Sequence, residues 1–124
     1  MRVGLFDSGI GGLTVLKVLM DKYPSNDYIY YGDTKNVPYG DKSKEELLDL
    51  ARSNINFLIS KNVDMIIVAC GTVSSNCLDI LVKEYDIPII SIVKPTIDYL
   101  NNSMFNNIGV IATHATINSH IFKT

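Results

Sequence analysis

Short apolar runs alternate along the chain with longer segments in which apolar residues recur every three or four positions. The short runs contain few polar positions, which is typical of strands that are covered on both faces. They predict five strands, at residues 2–6, 28–31, 64–68, 88–92 and 108–112. The longer segments predict helices over about 11–22, 43–61, 72–84 and 96–102, and a last helix that begins near Ala115.

The alternation of strands and helices predicts an α/β fold, in which a parallel sheet is flanked by helices. Ser43 and Glu46 are spaced as a capping box at the start of the second predicted helix. Ligands of parallel sheets bind beyond the carboxyl ends of the strands. The residues that directly follow each predicted strand are therefore the candidates for a functional site.

Composition and charge limit the partners of this chain of 124 residues. The formal net charge is -2 and no cluster of Lys and Arg occurs, which argues against nucleic acid or an anionic membrane as the main partner. No apolar run approaches the roughly 18 residues of a membrane span, and the first residues lack the features of a signal peptide. We therefore expect a cytoplasmic location.

The two cysteines, Cys70 and Cys77, are spaced neither as a disulfide framework nor as a zinc site, so no metal is predicted. Cys70 follows the third strand in the segment Ala69-Cys70-Gly71-Thr72 and opens a helix. The amide dipoles of a helix start favour a thiolate, so we expect a lowered pKa. The alternative is a buried cysteine that acts as a small apolar residue. Cys77, about two turns further on, is expected in the core.

The first strand is followed by Asp7-Ser8 and three glycines in positions 9–12. Such a turn lets the backbone approach a ligand, and the helix that follows offers amides to a carboxylate or phosphate. The spacing matches neither GxGxxG nor a P-loop, and Asp7 suits an ammonium group or a thiol better than a phosphate. An ordinary tight turn is the alternative.

Two further segments follow strands. The second strand leads into Gly32-Asp33-Thr34 and the loop 36–40, which an ordinary surface loop with a satisfied tyrosine would also explain. The fifth leads into the hydroxyl-rich segment 113–116. His114 and His120 are expected to be solvated or capping residues rather than catalysts.

Four motifs occur in order along the chain: FDSGIGGLTVL (6–16), YGDTKNVPYG (31–40), VACGT (68–72) and IGVIATHAT (108–116). Together they resemble the ordered motifs of glutamate racemases, in the aspartate/glutamate racemase superfamily. Aspartate and hydantoin racemases share the general architecture, whereas the pair FDSGIGG and VPYG points to the glutamate enzymes.

The resemblance implies racemisation of L- and D-glutamate by two cysteines, with no cofactor and no metal. This isomerase activity would supply D-glutamate for peptidoglycan and thus for biogenesis of the cell wall and cell shape. Cys70 matches the first catalytic cysteine, which exchanges the α-proton of the substrate. The substrate-binding residues that the resemblance implies are Asp7, Ser8, Tyr39, Gly40, Gly71, Thr72 and Thr116.

The resemblance also implies two domains, with 1–97 as most of the first and 98–124 as the start of the second. The family carries its partner cysteine in a Gly-Cys-Thr-His segment, which is absent from this sequence. We therefore expect a truncated chain that is inactive alone. Gly71 stands where the family usually has Asn, and Lys94 where it often has Glu.

Two rival functions remain open from the sequence. One is a non-catalytic module of this fold that binds an amino acid or another protein. The other is a racemase that acts on aspartate or a hydantoin. A homodimer is a further expectation, because a second copy would cover the apolar residues between 104 and 122.

Overall fold

The computed structural model of the chain describes residues 1–123 and contains one four-stranded sheet. The strands are β1 (Arg2–Asp7), β2 (Asp27–Gly32), β3 (Met65–Val68) and β4 (Ile89–Ser91). They lie in the order β2-β1-β3-β4, and every neighbouring pair is parallel. The predicted α/β fold with a parallel sheet is confirmed, as are four of the five predicted strands.

Within residues 1–123, six α-helices connect or follow the strands, together with a short 3-10 turn at Thr34–Asn36. They are α1 (Leu13–Lys22), α2 (Lys44–Ser60), α3 (Gly71–Asn76), α4 (Leu78–Glu84), α5 (Val93–Asn101) and α6 (His114–Asn118). The predicted capping box at the start of α2 is confirmed, because Ser43 and Glu46 hydrogen-bond to each other's backbone N–H groups.

The single helix predicted over 72–84 is in fact two helices, α3 and α4, that meet at Cys77. The first half is rich in Ser, Thr and Asn, whose side chains compete for backbone partners. Ser75 Oγ donates to the carbonyl of Gly71 at 2.7 Å, and Asn76 Nδ2 donates to that of Thr72 at 2.8 Å. The helix breaks directly after these two residues.

The hydrophobic core lies between the sheet and the helices α2, α3 and α4. Its fully buried members include Phe6, Leu47, Ile55, Leu58, Ile66, Val68, Val73 and Leu81. Cys77 also belongs to this core, with no exposed surface, as predicted. On α2 the buried stripe contains one polar residue, Asn54, between apolar neighbours.

The strand register brings the carboxyl ends of all four strands to one edge of the sheet. Asp7 pairs with Gly32 across β1 and β2, and Phe6 pairs with Val68 across β1 and β3. Val68 in turn pairs with Ser91 of β4. The segments that follow β1, β2 and β3 therefore start side by side.

The strand predicted at 108–112 is absent, so this prediction was wrong. A strand forms only when its backbone groups find a ladder partner, and this segment has no such partner within residues 1–123. The segment has no regular secondary structure and is exposed, with the Ile111 side chain fully accessible. Thr124, the end of the predicted second-domain segment 98–124, lies outside the described residues.

No helix within residues 1–123 is long and apolar enough to cross a membrane.

Candidate functional site

The turn after β1 is organised by the carboxylate of Asp7, which is 8% exposed. The backbone N–H of Ser8 donates to Asp7 Oδ1 at 2.8 Å, and that of Gly12 donates to Oδ2 at 2.9 Å. A Cβ on Gly12 would lie 2.9 Å from the Cβ of Ala69 and 3.0 Å from the hydroxyl of Tyr30. A glycine is therefore needed for the turn to pack this closely against the sheet.

Cys70 lies at the junction of β3 and α3 and carries a free, buried thiol. Burial is the main cause that raises its pKa, and the negative charge of Asp7 raises it further. Hydrogen bonds from the Val73 backbone and from Ser8 act in the opposite direction without prevailing. The expected lowering of the pKa by the helix start was therefore wrong, because the loss of hydration outweighs the amide dipoles of this short helix.

Three threonine hydroxyls form a cluster where α3 meets α6. The hydroxyl oxygens of Thr72 and Thr113 are 2.8 Å apart, and Thr113 Oγ1 donates to Thr116 Oγ1 at 3.1 Å. Thr113 also caps α6, since its Oγ1 accepts from the backbone N–H of Thr116. The cluster lies at the cavity that Cys70 also lines, and Thr72 follows Cys70 by two residues.

The loop 37–41 closes the other side of this cluster and contains a cis peptide bond between Val37 and Pro38. The carbonyl of Gly40 accepts from the backbone N–H of Ala115 at 3.2 Å. A Cβ on Gly40 would lie 2.8 Å from the Cβ of Thr113, so α6 rests directly on the glycine backbone.

The Tyr39 side chain turns away from this surface and is 2% exposed. Its hydroxyl donates to the carboxylate of Asp33 and accepts from Asn54 Nδ2 at 3.1 Å. Burial and the Asp33 carboxylate raise the pKa of Tyr39, so the phenol is neutral at physiological pH. The hydroxyl of Tyr39 thus ties the loop 37–41 to Asp33 and to α2.

Two adjoining cavities lie along this edge of the sheet. One of about 410 Å³ is lined by residues that include Asp7, Ser8, Cys70, Gly71, Thr72 and Thr116. The other, of about 510 Å³, is lined by residues that include Tyr39 and Gly40. Both are bordered by Ser8, Thr72, Ala112 and Thr113. The structure thus gathers six of the eight predicted site residues around one cavity and the other two around its neighbour.

A larger cavity of about 610 Å³ is lined by α3, α4, α5 and residues that follow α6, and its lining does not include Cys70. Its polar lining consists of serines, Asn76 and charged side chains, of which Lys94 pairs with Asp98 at 3.5 Å. The cavity beside Cys70 has more reactive groups, because a thiol, serine and threonine hydroxyls and the glycine at position 71 all line it. We therefore assign the candidate site to the smaller cavity.

The arrangement suits proton transfer to or from a small polar ligand. Cys70 is the titratable group that can take up and release a proton, and the hydroxyls can orient a carboxylate. Within residues 1–123, no three His, Cys, Asp or Glu side chains lie close enough together to hold a metal ion. His114 is exposed, with its Nδ1 3.7 Å from Asp41, and His120 is exposed on the far end of α6.

Three residues were not singled out from the sequence: Thr113, which lines the site, and Asp33 and Asn54, which hydrogen-bond to Tyr39 behind it. Thr113 was noted only as part of a hydroxyl-rich segment, although it borders both cavities. Asp33 was noted only as the residue after Gly32. Asn54 had a clear signal, because it interrupts the apolar stripe of α2 at a core position.

No protein-family model matches the chain. A curated glutamate racemase from Hydrogenobaculum sp. (strain Y04AAS1) is 45% identical over 124 residues, which is 99% of this chain and 48% of that relative. The chain therefore spans about half the length of the curated relatives it matches.

Solved structures that are similar to the chain are also glutamate racemases, and the chain again covers about half of each. The glutamate racemase from Aquifex pyrophilus is similar with a TM-score of 0.94 and 42% identity, covering 99% of this chain and 49% of that one. The enzyme from Francisella tularensis subsp. tularensis SCHU S4, solved in complex with D-glutamate, has a TM-score of 0.88 and 43% identity. That match covers 98% of this chain and 46% of the Francisella chain.

Proposed function

Because the chain is homologous over nearly its whole length to the amino-terminal portion of glutamate racemases, we propose that it supplies one half of a glutamate racemase site. The half-site contains Cys70 as the acid–base group for one face of the substrate. The observation that carries this proposal is the single cavity that joins the buried thiol, the Asp7-Ser8 turn and the threonine hydroxyls.

The proposed chemistry removes the α-proton of glutamate with the thiolate of Cys70 and returns a proton to the opposite face from a second thiol. Cys77 cannot be that second thiol, since it is buried in the core behind α3. The second group therefore comes from outside the described residues. In this proposal, residues 1–97 form most of one domain and 98–124 begin another.

Substrate binding also offsets the raised pKa of Cys70. Burial and the charge of Asp7 raise the pKa of the Cys70 thiol and favour its protonated form. The α-ammonium group of glutamate brings a positive charge beside both groups, which favours the thiolate and balances Asp7. The thiolate of Cys70 therefore forms once glutamate is bound. The hydroxyls of Thr72 and Thr116 are available to hydrogen-bond the substrate carboxylate.

In the cell, we propose that the full activity supplies D-glutamate for peptidoglycan in the cytoplasm. This role rests on the curated relatives, which are named glutamate racemases.

The test is exchange of the α-proton for deuterium in D₂O, measured by NMR on L- and D-glutamate. We expect the chain to exchange one enantiomer with retention of configuration, because only one face of the carbon has a base. Cys70→Ser abolishes this exchange. Cys77→Ala is the matched control and retains it, since Cys77 lies outside the cavity. Equal exchange by the chain and by Cys70→Ser would remove Cys70 from the chemistry.

A non-catalytic binding module is the second candidate, and it is favoured by the presence of one thiol in the cavity. Protection of Cys70 from iodoacetamide by glutamate measures binding without turnover. Protection without any α-proton exchange supports the binding module, whereas protection with exchange supports the half-site. Aspartate and a hydantoin, used as competing ligands, test the related substrate classes.

A further inference from the structure

A buried chain of hydrogen bonds runs from the middle of α2 to the loop 37–41. It joins Asn54, Tyr39 and Asp33, each of which is 2–3% exposed. Asn54 Nδ2 donates to the Tyr39 hydroxyl at 3.1 Å, and the Tyr39 hydroxyl donates to Asp33. Asn36 completes the chain, because its Nδ2 donates to Asp33 Oδ1 at 2.8 Å. Within residues 1–123, no fully buried side-chain nitrogen or oxygen lacks a hydrogen-bond partner, as burial requires.

The direction of each hydrogen bond is fixed by chemistry. A tyrosine hydroxyl has one proton, and the carboxylate of Asp33 can only accept it. The Tyr39 oxygen must then accept from Asn54, whose amide nitrogen is a donor. The influence of the Asn54 hydrogen bond on Tyr39 agrees with this direction, since it lowers the pKa of the phenol while Asp33 raises it.

Core stability alone does not call for an asparagine at this position. Residue 54 lies in the buried stripe of α2 between Ala51 and Leu58, where a leucine would bury more apolar surface. A polar side chain there costs hydration and is useful when it selects one arrangement of its partner. The partner that Asn54 orients is Tyr39.

Tyr39 in turn determines where Gly40 lies, because the two are adjacent in the chain. The carbonyl of Gly40 accepts a hydrogen bond from the N–H of Ala115. The Cα of Gly40 packs against Thr113 and leaves no room for a side chain. Thr113 then holds the hydroxyl of Thr72 at 2.8 Å. The path from α2 to the hydroxyl cluster is therefore a continuous series of contacts.

We propose that Asn54 is a positioning residue for the hydroxyl cluster of the candidate site, acting through Tyr39 and Gly40 on the start of α6. As a role in glutamate binding this rests on the proposed function, whereas the positioning of α6 can be measured independently. Asn54 lies on α2 and does not border either cavity of the site.

The experiment replaces the amide by an apolar group of similar size, Asn54→Leu, in the full chain. Amide hydrogen exchange is followed at Ala115, which reports the contact with Gly40, and at Leu5 and Ile67, which report the central strands. We expect exchange at Ala115 to accelerate about five- to tenfold, as for the loss of one hydrogen bond. Leu5 and Ile67 keep their slow exchange.

Ile55→Val, the neighbouring substitution on α2, is the control for a merely structural effect. It loosens the core without touching the hydrogen-bonded chain, so it is expected to leave the ratio of Ala115 to Leu5 exchange unchanged. A double-mutant cycle with Tyr39→Phe gives the second control. If Asn54 acts through the Tyr39 hydroxyl, Asn54→Leu has no further effect on Ala115 in the Tyr39→Phe background.

The proposal is overturned if Asn54→Leu leaves Ala115 exchange unchanged, accelerates all amides equally, or acts just as strongly in the Tyr39→Phe background. Glutamate protection of Cys70 is measured on the same variants and is expected to weaken several-fold in Asn54→Leu. If glutamate does not protect Cys70 in the unsubstituted chain, the proposed function fails, and the Ala115 result still decides the positioning role.

Discussion

The contact between Gly40 and Thr113 gives the sharpest quantitative prediction, because two opposing effects of Gly40→Ala can be compared. No glycine in residues 1–123 has a positive φ, so alanine fits the backbone conformation of Gly40. By itself, such a substitution stabilises a protein by about 0.4–1 kcal/mol, since it restricts the unfolded chain. The new Cβ would, however, lie 2.8 Å from the Cβ of Thr113.

Ordinary contacts between carbon atoms are about 3.5–4.0 Å, so α6 must move away by about 1 Å. The hydrogen bond from Ala115 to Gly40 is already 3.2 Å long and would be broken by this movement. A lost hydrogen bond costs about 0.5–1.5 kcal/mol, and overpacking costs about 1–3 kcal/mol. The collision outweighs the entropic gain, and we expect a net loss of about 1–3 kcal/mol in the free energy of unfolding.

Gly71→Ala is the matched control, because a Cβ at Gly71 meets no atom within 4 Å. The same entropic gain applies there without a collision, so this variant is expected to be more stable by about 0.4–1 kcal/mol. Urea denaturation followed by circular dichroism measures both. If Gly40→Ala proves as stable as Gly71→Ala, the close packing of α6 on the loop is refuted.

Three further predictions concern other parts of the fold. Ser43→Ala removes the capping box of α2 and should cost about 0.5–2 kcal/mol of unfolding free energy in urea denaturation; an unchanged midpoint would contradict the cap. Asp7→Asn removes the negative charge that raises the pKa of Cys70, so the pH profile of Cys70 alkylation should move to lower pH, and movement to higher pH would contradict the role of that charge. The pKa of Cys77 is raised from 9.0 to about 11 in the folded chain, so its neutral thiol contributes stability that is complete below pH 9 and lost as the pH rises to 11. This loss amounts to about 2 kcal/mol, and a Cys77→Ala variant should lack that part of the decline.

The sequence was sufficient to predict the sheet, because continuous apolar runs indicate strands that are buried on both faces. It was not sufficient at 108–112, where the same kind of run meets no ladder partner within residues 1–123. Strand formation depends on a neighbour that a local pattern does not contain. The break at Cys77 had a local signal in the Ser- and Asn-rich half of the helix, but the apolar spacing continued across it.

For the site, too, the sequence predicted some features and missed those that depend on residues distant in the chain. The strand-end rule and the family motifs led to Cys70, Asp7 and Ser8, which the structure brings to one cavity. The direction of the Cys70 pKa could not be read from its position at a helix start, because the result depends on burial by distant residues. The polar residue in the apolar stripe of α2 indicates that Asn54 has a buried partner, but the pattern does not identify that partner as Tyr39.

The order of the strands has a consequence for how the chain is made. β1, the first strand to be synthesised, lies inside the sheet, with β2 on one side and β3 on the other. Each strand that leaves the ribosome afterwards can add to an open edge, and β4 completes the row beyond β3. None of the four strands in residues 1–123 has to insert between two that are already paired, so the sheet can grow outward while the chain is translated.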